Sequence, residues 1–229
     1  VEFDADGRDS RRLLGDIFLG HGWYEPAYRQ YRTMTDSAPD DALASLRLAA
    51  AAAGTGRIDE ALRLERHVAN AQGTPGPNDP RRWARLASAA RLARLIDRPP
   101  PLLAGETDSA ERRKESMKRE LKELQLFSGP GVLRVLTWEQ LDADVQLEAR
   151  AGDAPLAVGD LTDAARAGLS ALALSGPEAT RVSSTARLRS LVRAGALPLA
   201  LHEIAWDGKD FSVRVEQRSL SAGSSTVEL

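Results

Sequence analysis

Leu14 to Pro39 reads L-G-D-I-F-L-G-H-G-W-Y-E-P-A-Y-R-Q-Y-R-T-M-T-D-S-A-P. Its landmarks are Leu14-Gly15, Phe18, Gly22, Tyr24, Ala27, Tyr31 and Pro39. Moving 34 residues along, Leu14 becomes Leu48, Gly22 becomes Gly56 and Ala27 becomes Ala61. Recurrence of landmarks at one fixed period marks a repeated supersecondary unit, and this period suits a helix–turn–helix. The repeat predicts a binding scaffold and leaves open what is bound. No part of the chain reads as an active site.

Around this stretch the 3.6-residue period continues. Ser10 is placed to cap a helix running to about His21, with Leu13, Leu14, Ile17 and Phe18 on its apolar face. Gly22 ends it, as a residue needing positive φ does. The second helix spans about Glu25 to Ser37, with Ala27, Tyr28, Tyr31 and Met34 inward. The third covers about Asp41 to Ala53 and the fourth about Ile58 to Ala71, joined by Gly54-Thr55-Gly56. This second unit is worn, with Glu65 where the first has Tyr31. Two such units cannot bury their faces alone; about three are needed.

Gly73 to Pro80 reads as a loop, and Pro80 suits a helix start. Helix five follows to about Ile96, as a third divergent unit or a cap. Pro99-Pro100-Pro101 opens a surface loop to Thr107. Asp108 to Phe127 is the most charged helix. Asp108 and Glu111 have capping-box spacing, and Glu115–Arg119 and Arg119–Glu123 are i,i+4 pairs. Met117, Leu121 and Leu124 form a narrow apolar stripe, which predicts a solvated connector.

At Ser128-Gly129-Pro130-Gly131 the period changes to two. Val145, Leu147 and Ala149 alternate with Asp144, Gln146, Glu148 and Arg150. Ala186, Leu188 and Val192 share a face, and Phe211, Val213 and Val215 alternate with Ser212, Arg214 and Glu216. Asp207-Gly208 favours a tight hairpin. These patterns predict antiparallel strands with one solvated face, packed as a sandwich. Thr162 to Arg166 reads as a short helix or loop, and Ser221 to Leu229 as a mobile polar tail. The predicted class is α+β in two domains, an N-terminal α-solenoid followed by an antiparallel β-sandwich. The helical repeats take 1–97, a linker loop and connector helix 98–130, the sandwich 131–220 and the tail 221–229.

Residues Ser10 to Gly73 resemble the tetratricopeptide-repeat superfamily, with one well-formed and one degenerate unit. The resemblance implies a concave groove that binds a protein or peptide. Carried over residue by residue, it would be lined by Arg12, Asp16 and Leu19, then by Leu43, Leu46 and Ala50. A structural alternative is that Leu43 and Leu46 pack on helix five. Gly131 to Arg218 resembles a bacterial β-domain of unknown function that follows such repeats in proteins associated with von Willebrand A or alpha-2-macroglobulin-like partners. The matching residues are G-V-L-R-V-L-T-W from Gly131, D-V-Q-L from Asp144, Gly176-Pro177-Glu178, the run Ala186 to Val192, and W-D-G-K from Trp206. Gln146 stands where that family tends to have an acid, so a cation site of relatives is not implied here. The order of the two resemblances implies an adaptor of a bacterial envelope or periplasmic assembly, with the cytoplasm still open.

Composition narrows the chemistry. The chain has 229 residues, a net charge of −2 and no cysteine, which removes disulfides and thiolate chemistry. Aromatics make up 5 % and much of the apolar content is alanine, which favours close helix packing. No apolar run approaches the ~20 residues of a bilayer span. No signal peptide is visible, and a start at Val1 is that of a mature or trimmed chain. His21, His67 and His202 are far apart, with no H-x-x-x-H pair, no G-x-S-x-G elbow and no phosphate loop. The sequence therefore carries no cofactor motif and no metal motif. Arg112, Arg113, Lys114, Lys118 and Arg119 alternate with acids, so a solvated face outweighs nucleic-acid binding. Asp142 and Asp144, with Asp160 or Asp163, are the Ca²⁺ alternative. Trp23 is not required by the repeat and is a candidate interface anchor. Three readings follow. The first is a non-enzymatic interaction scaffold with Arg12, Asp16, Leu19, Trp23, Leu43 and Leu46 as partner residues. The second is a carbohydrate- or Ca²⁺-binding β-module. The third is an accessory subunit of an enzyme on another chain. The oligomeric state is left open.

Overall fold

A computed structural model describes residues 7–72, 79–99, 109–138, 143–151, 154–158, 168–175, 182–191, 196–221 and 224–229. Among the described residues six helices come first: α1 Arg8–Gly20, α2 Tyr24–Ser37, α3 Ala42–Gly54, α4 Ile58–Ala69, α5 Pro80–Asp97 and α6 Ala110–Glu123. Eight strands follow among the described residues: β1 Gly131–Thr137, β2 Ala143–Ala151, β3 Ala154–Val158, β4 Leu169–Ser175, β5 Ser183–Leu191, β6 Leu197–Trp206, β7 Phe211–Leu220 and β8 Thr226–Glu228. The molecule is α+β.

The first four helices form two hairpins offset by 34 residues. α1 and α3 start at 8 and 42, and α2 and α4 at 24 and 58. Gly22 and Gly56 hold φ of +70° and +84° at the equivalent turns, where a side chain would be strained. α1 begins earlier than the Ser10 cap predicts: Gly7 is the N-cap and Ser10 lies inside the helix. Asp41 caps α3 by accepting from the Leu43 and Ala44 amides. Leu19, Ala27, Tyr31 and Met34 of the first hairpin share one apolar cluster with Ala44, Leu48 and Ala51 of the second. Leu13 and Ile17, expected on the inward face, are instead exposed. Their side of α1 faces away from the second hairpin.

α5 buries nine small or apolar residues, from Trp83 to Ile96, against neighbours on two sides and leaves Arg82, Arg85 and Arg94 exposed. One side meets α3, α4 and α6, where Leu46, Val68 and Leu121 join its cluster. The other meets a sheet through Leu133, Val135, Leu169, Ala171, Ile204, Phe211 and Val215. α6 is capped by Ser109, whose hydroxyl accepts from the Arg112 amide, rather than by the Asp108–Glu111 box; Asp108 lies outside the described residues. The helix is docked rather than free. Leu121 is buried, Lys118 bonds Asp210 of the β6–β7 turn at 2.5 Å, and Glu120 bonds Arg66 of α4 at 2.9 Å.

The strands form two antiparallel four-stranded sheets, ordered β4-β1-β6-β7 and β3-β2-β5-β8. One cluster joins Val132, Leu136, Leu172, Leu199 and Leu201 of the first to Val145, Leu147, Ala149 and Ala186 of the second. The first sheet is covered on both faces, so Val132 to Leu136 are buried without interruption. A single solvated face was expected; α5 removes it. Gln146 and Glu148, expected in water, are also buried, and Glu148 pairs with Arg187 at 2.7 Å. Asp207-Gly208 belongs to a four-residue turn in which the Asp207 carboxylate accepts from the Lys209 and Asp210 amides. The segment expected as a mobile tail carries β8, paired with β5 from Thr226 to Glu228. Thr162 to Arg166, Gly176-Pro177-Glu178 and Val192 lie outside the described residues.

A candidate binding cleft between the helical hairpins

Arg8 and Arg12 are one turn apart on α1, and Arg47 is on the facing side of α3. Together with Asp9, Met34, Asp41, Leu43 and Ala44 they line a cleft of about 100 Å³. Close approach of the helices, within the first hairpin and between the two, makes it small. Gly15 lets Tyr31 pack onto α1, and a methyl there would fall 2.6 Å from the ring. Tyr24 packs on Gly54 in the same manner, 2.2 Å from where a methyl would be.

Charge alternates along the cleft. Arg8 pairs with Asp41, and Arg12 lies 3.2 Å from Asp9. Arg47 is buried, with its Nε 3.0 Å from Asp16 Oδ1. That contact is an ion pair by distance but not an aligned hydrogen bond, since Nε has no hydrogen-bond partner. Asp16 Oδ1 instead accepts from the Tyr31 hydroxyl. Burial, and then the Asp16 charge, push the Tyr31 phenol far above its ordinary value, so it stays a donor. Burial opposes ionisation of Asp41, but the Ala44 and Leu43 amides and Arg8 outweigh it and hold the carboxyl low. The cleft thus offers one guanidinium held by burial, that of Arg47, with the exposed Arg8 and Arg12 and their carboxylates beside Met34 and Leu43. Such a lining suits recognition of a mixed polar and apolar segment.

The sequence-derived residues separate into three groups. Arg12 and Leu43 line the cleft, and Asp16 sits behind it holding Tyr31 and Arg47. Leu19 and Leu46 are buried, Leu19 between the hairpins and Leu46 in the α5 cluster, so neither presents a surface to a partner. Leu46 follows the structural alternative of packing on helix five. Trp23 is exposed at the α1–α2 turn, stacked on His21 with ring centroids 4.7 Å apart. Sequence reasoning missed Arg8, Arg47 and Asp41. Arg8 lies four residues before Arg12, a readable signal; Arg47 is Leu13 advanced by one period, where the change from leucine to arginine hides it.

Elsewhere, an opening of about 480 Å³ is lined by α6 residues such as Arg112, Ser116 and Arg119. Among the described residues only α6 lines it, so it is a furrow along one helix. Asp144 is half-buried and its Oδ1 has no hydrogen-bond partner. Asp142, Asp160 and Asp163 of the Ca²⁺ alternative lie outside the described residues. Among the described residues no three histidines or carboxylates converge on a common point, and no helix is long and apolar enough to cross a membrane. No protein-family model matches the chain, and neither a curated protein nor a solved structure matches it.

Proposed function

We propose that the chain is a non-enzymatic scaffold that holds a protein or peptide partner in the cleft between its two hairpins. The observation that carries this reading is the buried Arg47 set behind Arg8, Arg12 and Leu43. A guanidinium held in place by packing loses little entropy when it engages a ligand. In this reading the hairpins are tetratricopeptide-like units, supported by the 34-residue offset of their helix starts and the paired positive-φ glycines. The two sheets act as a β-sandwich module, supported by the apolar cluster that they share. The setting is a bacterial envelope-associated assembly, on the sequence resemblance of the two parts in this order.

The test is capture of partners by the immobilised chain from an extract of its native organism, read by mass spectrometry. Arg12→Glu combined with Leu43→Ser is expected to lose the partner and keep the melting temperature within a few degrees. A partner retained by this double variant overturns the cleft.

One observation favours a second reading, a Ca²⁺-binding β-module: the orphaned Asp144 Oδ1. It predicts a higher melting temperature with millimolar Ca²⁺, abolished by Asp144→Asn. An unchanged melting temperature removes it.

A further inference from the structure

Among the described residues three large apolar side chains are exposed: Leu13, Ile17 and Trp23. All three lie on α1 or the turn after it. Their period-related counterparts are Arg47, Ala51 and Arg57. Each counterpart contacts the hairpin before it. Arg47 lies against Asp16 of α1, and Ala51 shares a cluster with Tyr31 and Met34 of α2. Arg57 bonds Glu25 at 2.9 Å and lies 4.3 Å over the Tyr28 ring.

The glycines repeat this relationship. Gly54 is covered by the Tyr24 ring, whereas its counterpart Gly20 has nothing within 4 Å of where a side chain would begin. So Leu13, Ile17, Gly20 and Trp23 make a face whose four equivalents, one period on, are all contacted by the first hairpin, chiefly by α2. It is also more apolar than its equivalent, with Leu and Trp replacing two arginines.

We propose that this face docks one amphipathic α-helix of another protein, running antiparallel to α1 as α2 runs along α3. The interface within this chain defines the chemistry of that helix. An aromatic residue, in the role of Tyr24, drops into the notch at Gly20. Apolar residues seven and ten positions later, in the roles of Tyr31 and Met34, cover Ile17 and Leu13. An apolar residue faces Trp23, where Glu25 faces Arg57. This is helix-in-groove recognition with a glycine notch setting the register.

A second copy of this chain fits less well. Head-to-tail stacking would need a matching open end, and α5 covers the far side of α4. Three side chains along one helix also fall well short of the ~800 Å² per partner of a stable dimer. The face is separate from the cleft, so it stands or falls independently of the proposed function.

The chain supplies its own probe: a labelled peptide of residues 23–38 with Glu25→Leu, kept helical by a cross-link between positions 29 and 33, which are exposed on α2. Fluorescence anisotropy against the whole chain should show saturable binding. Gly20→Leu and Ile17→Glu should each weaken it by about tenfold or more. Gly20→Leu fills only open space, so its melting temperature should match or exceed that of the wild type. No saturable binding overturns the proposal, as does equal affinity for Gly20→Leu. Loss on Arg12→Glu with binding retained by Gly20→Leu assigns the peptide to the cleft and equally overturns it. So does a dimer in sedimentation that Ile17→Glu dissolves.

Discussion

Arg91 of α5 reaches Glu65 of α4 with Nη2 2.5 Å from Oε1, and Glu65 is 1 % exposed. Ser88 donates a further bond to the same carboxylate at 3.1 Å. Glu65 stands where the first hairpin has Tyr31, so the worn position of the repeat became the charged joint to the next helix. Arg91→Met is expected to destabilise the chain by about 3–5 kcal/mol, because the carboxylate stays buried without its partner. The double change Glu65→Leu with Arg91→Met should recover most of that loss. Urea unfolding of the three variants checks both.

His202 on β6 is buried against α5, with Nε2 3.0 Å from Thr137 Oγ1 and no partner at Nδ1. Burial, reinforced by the Arg94 and Arg91 guanidiniums, lowers its pKa from 6.5 to about 4. The unfolded chain therefore takes up a proton at a higher pH than the folded one. Its contribution is complete above about pH 6.5 and is lost as the pH falls toward 4, at a cost of roughly 3 kcal/mol. His202→Gln should flatten denaturation midpoints over that window, whereas an undiminished slope would assign the pH dependence to carboxylates.

Three glycines on equivalent or facing positions should respond differently to alanine. Gly15→Ala places a methyl 2.6 Å from Tyr31, and Gly54→Ala one 2.2 Å from Tyr24. Each should cost about 1–3 kcal/mol through overpacking. Gly20→Ala meets open space inside a helix and should be neutral or stabilise by up to ~1 kcal/mol. Thermal melts of the three variants give the order directly.

Arg134 on β1 ties the two sheets together. It bonds Glu203 of β6 at 2.8 Å, the Val182 carbonyl at 2.5 Å and Ser184 Oγ of β5 at 2.8 Å. Arg134→Met leaves these groups without their donor and should cost about 3 kcal/mol. Arg134→Lys should rescue little, since one ammonium lacks the fork that reaches both sheets. Chemical denaturation compares them.

The helical hairpins were legible because their signals are local. Glycine turns, small residues at the crossing and the 3.6 period placed four helices within a few residues of their ends. Leu13 and Ile17 misled for a physical reason: a stripe that packs inward and a stripe left uncovered have the same period. The cover of α5 on the first sheet was illegible, because alternation in a strand reports side-chain type and not what lies above it. Val132 to Leu136 carried the clue, an apolar run broken only by Arg134, as in a strand buried on both sides. β8 was missed because three residues between polar neighbours have no period to read. In the cleft, Arg12 and Leu43 came from the repeat pattern. Arg47 did not, because it occupies a position where the first unit has leucine.

The position of α5 limits how the chain can be dissected. A fragment cut after residue 97 would keep the helix but strip the sheet from it, baring Leu133's and Ile204's partners along its whole length. A fragment beginning at 131 would bare the other side of the same contact. Both halves are expected to aggregate when expressed alone and to recover solubility when co-expressed, so work on either half calls for the intact polypeptide.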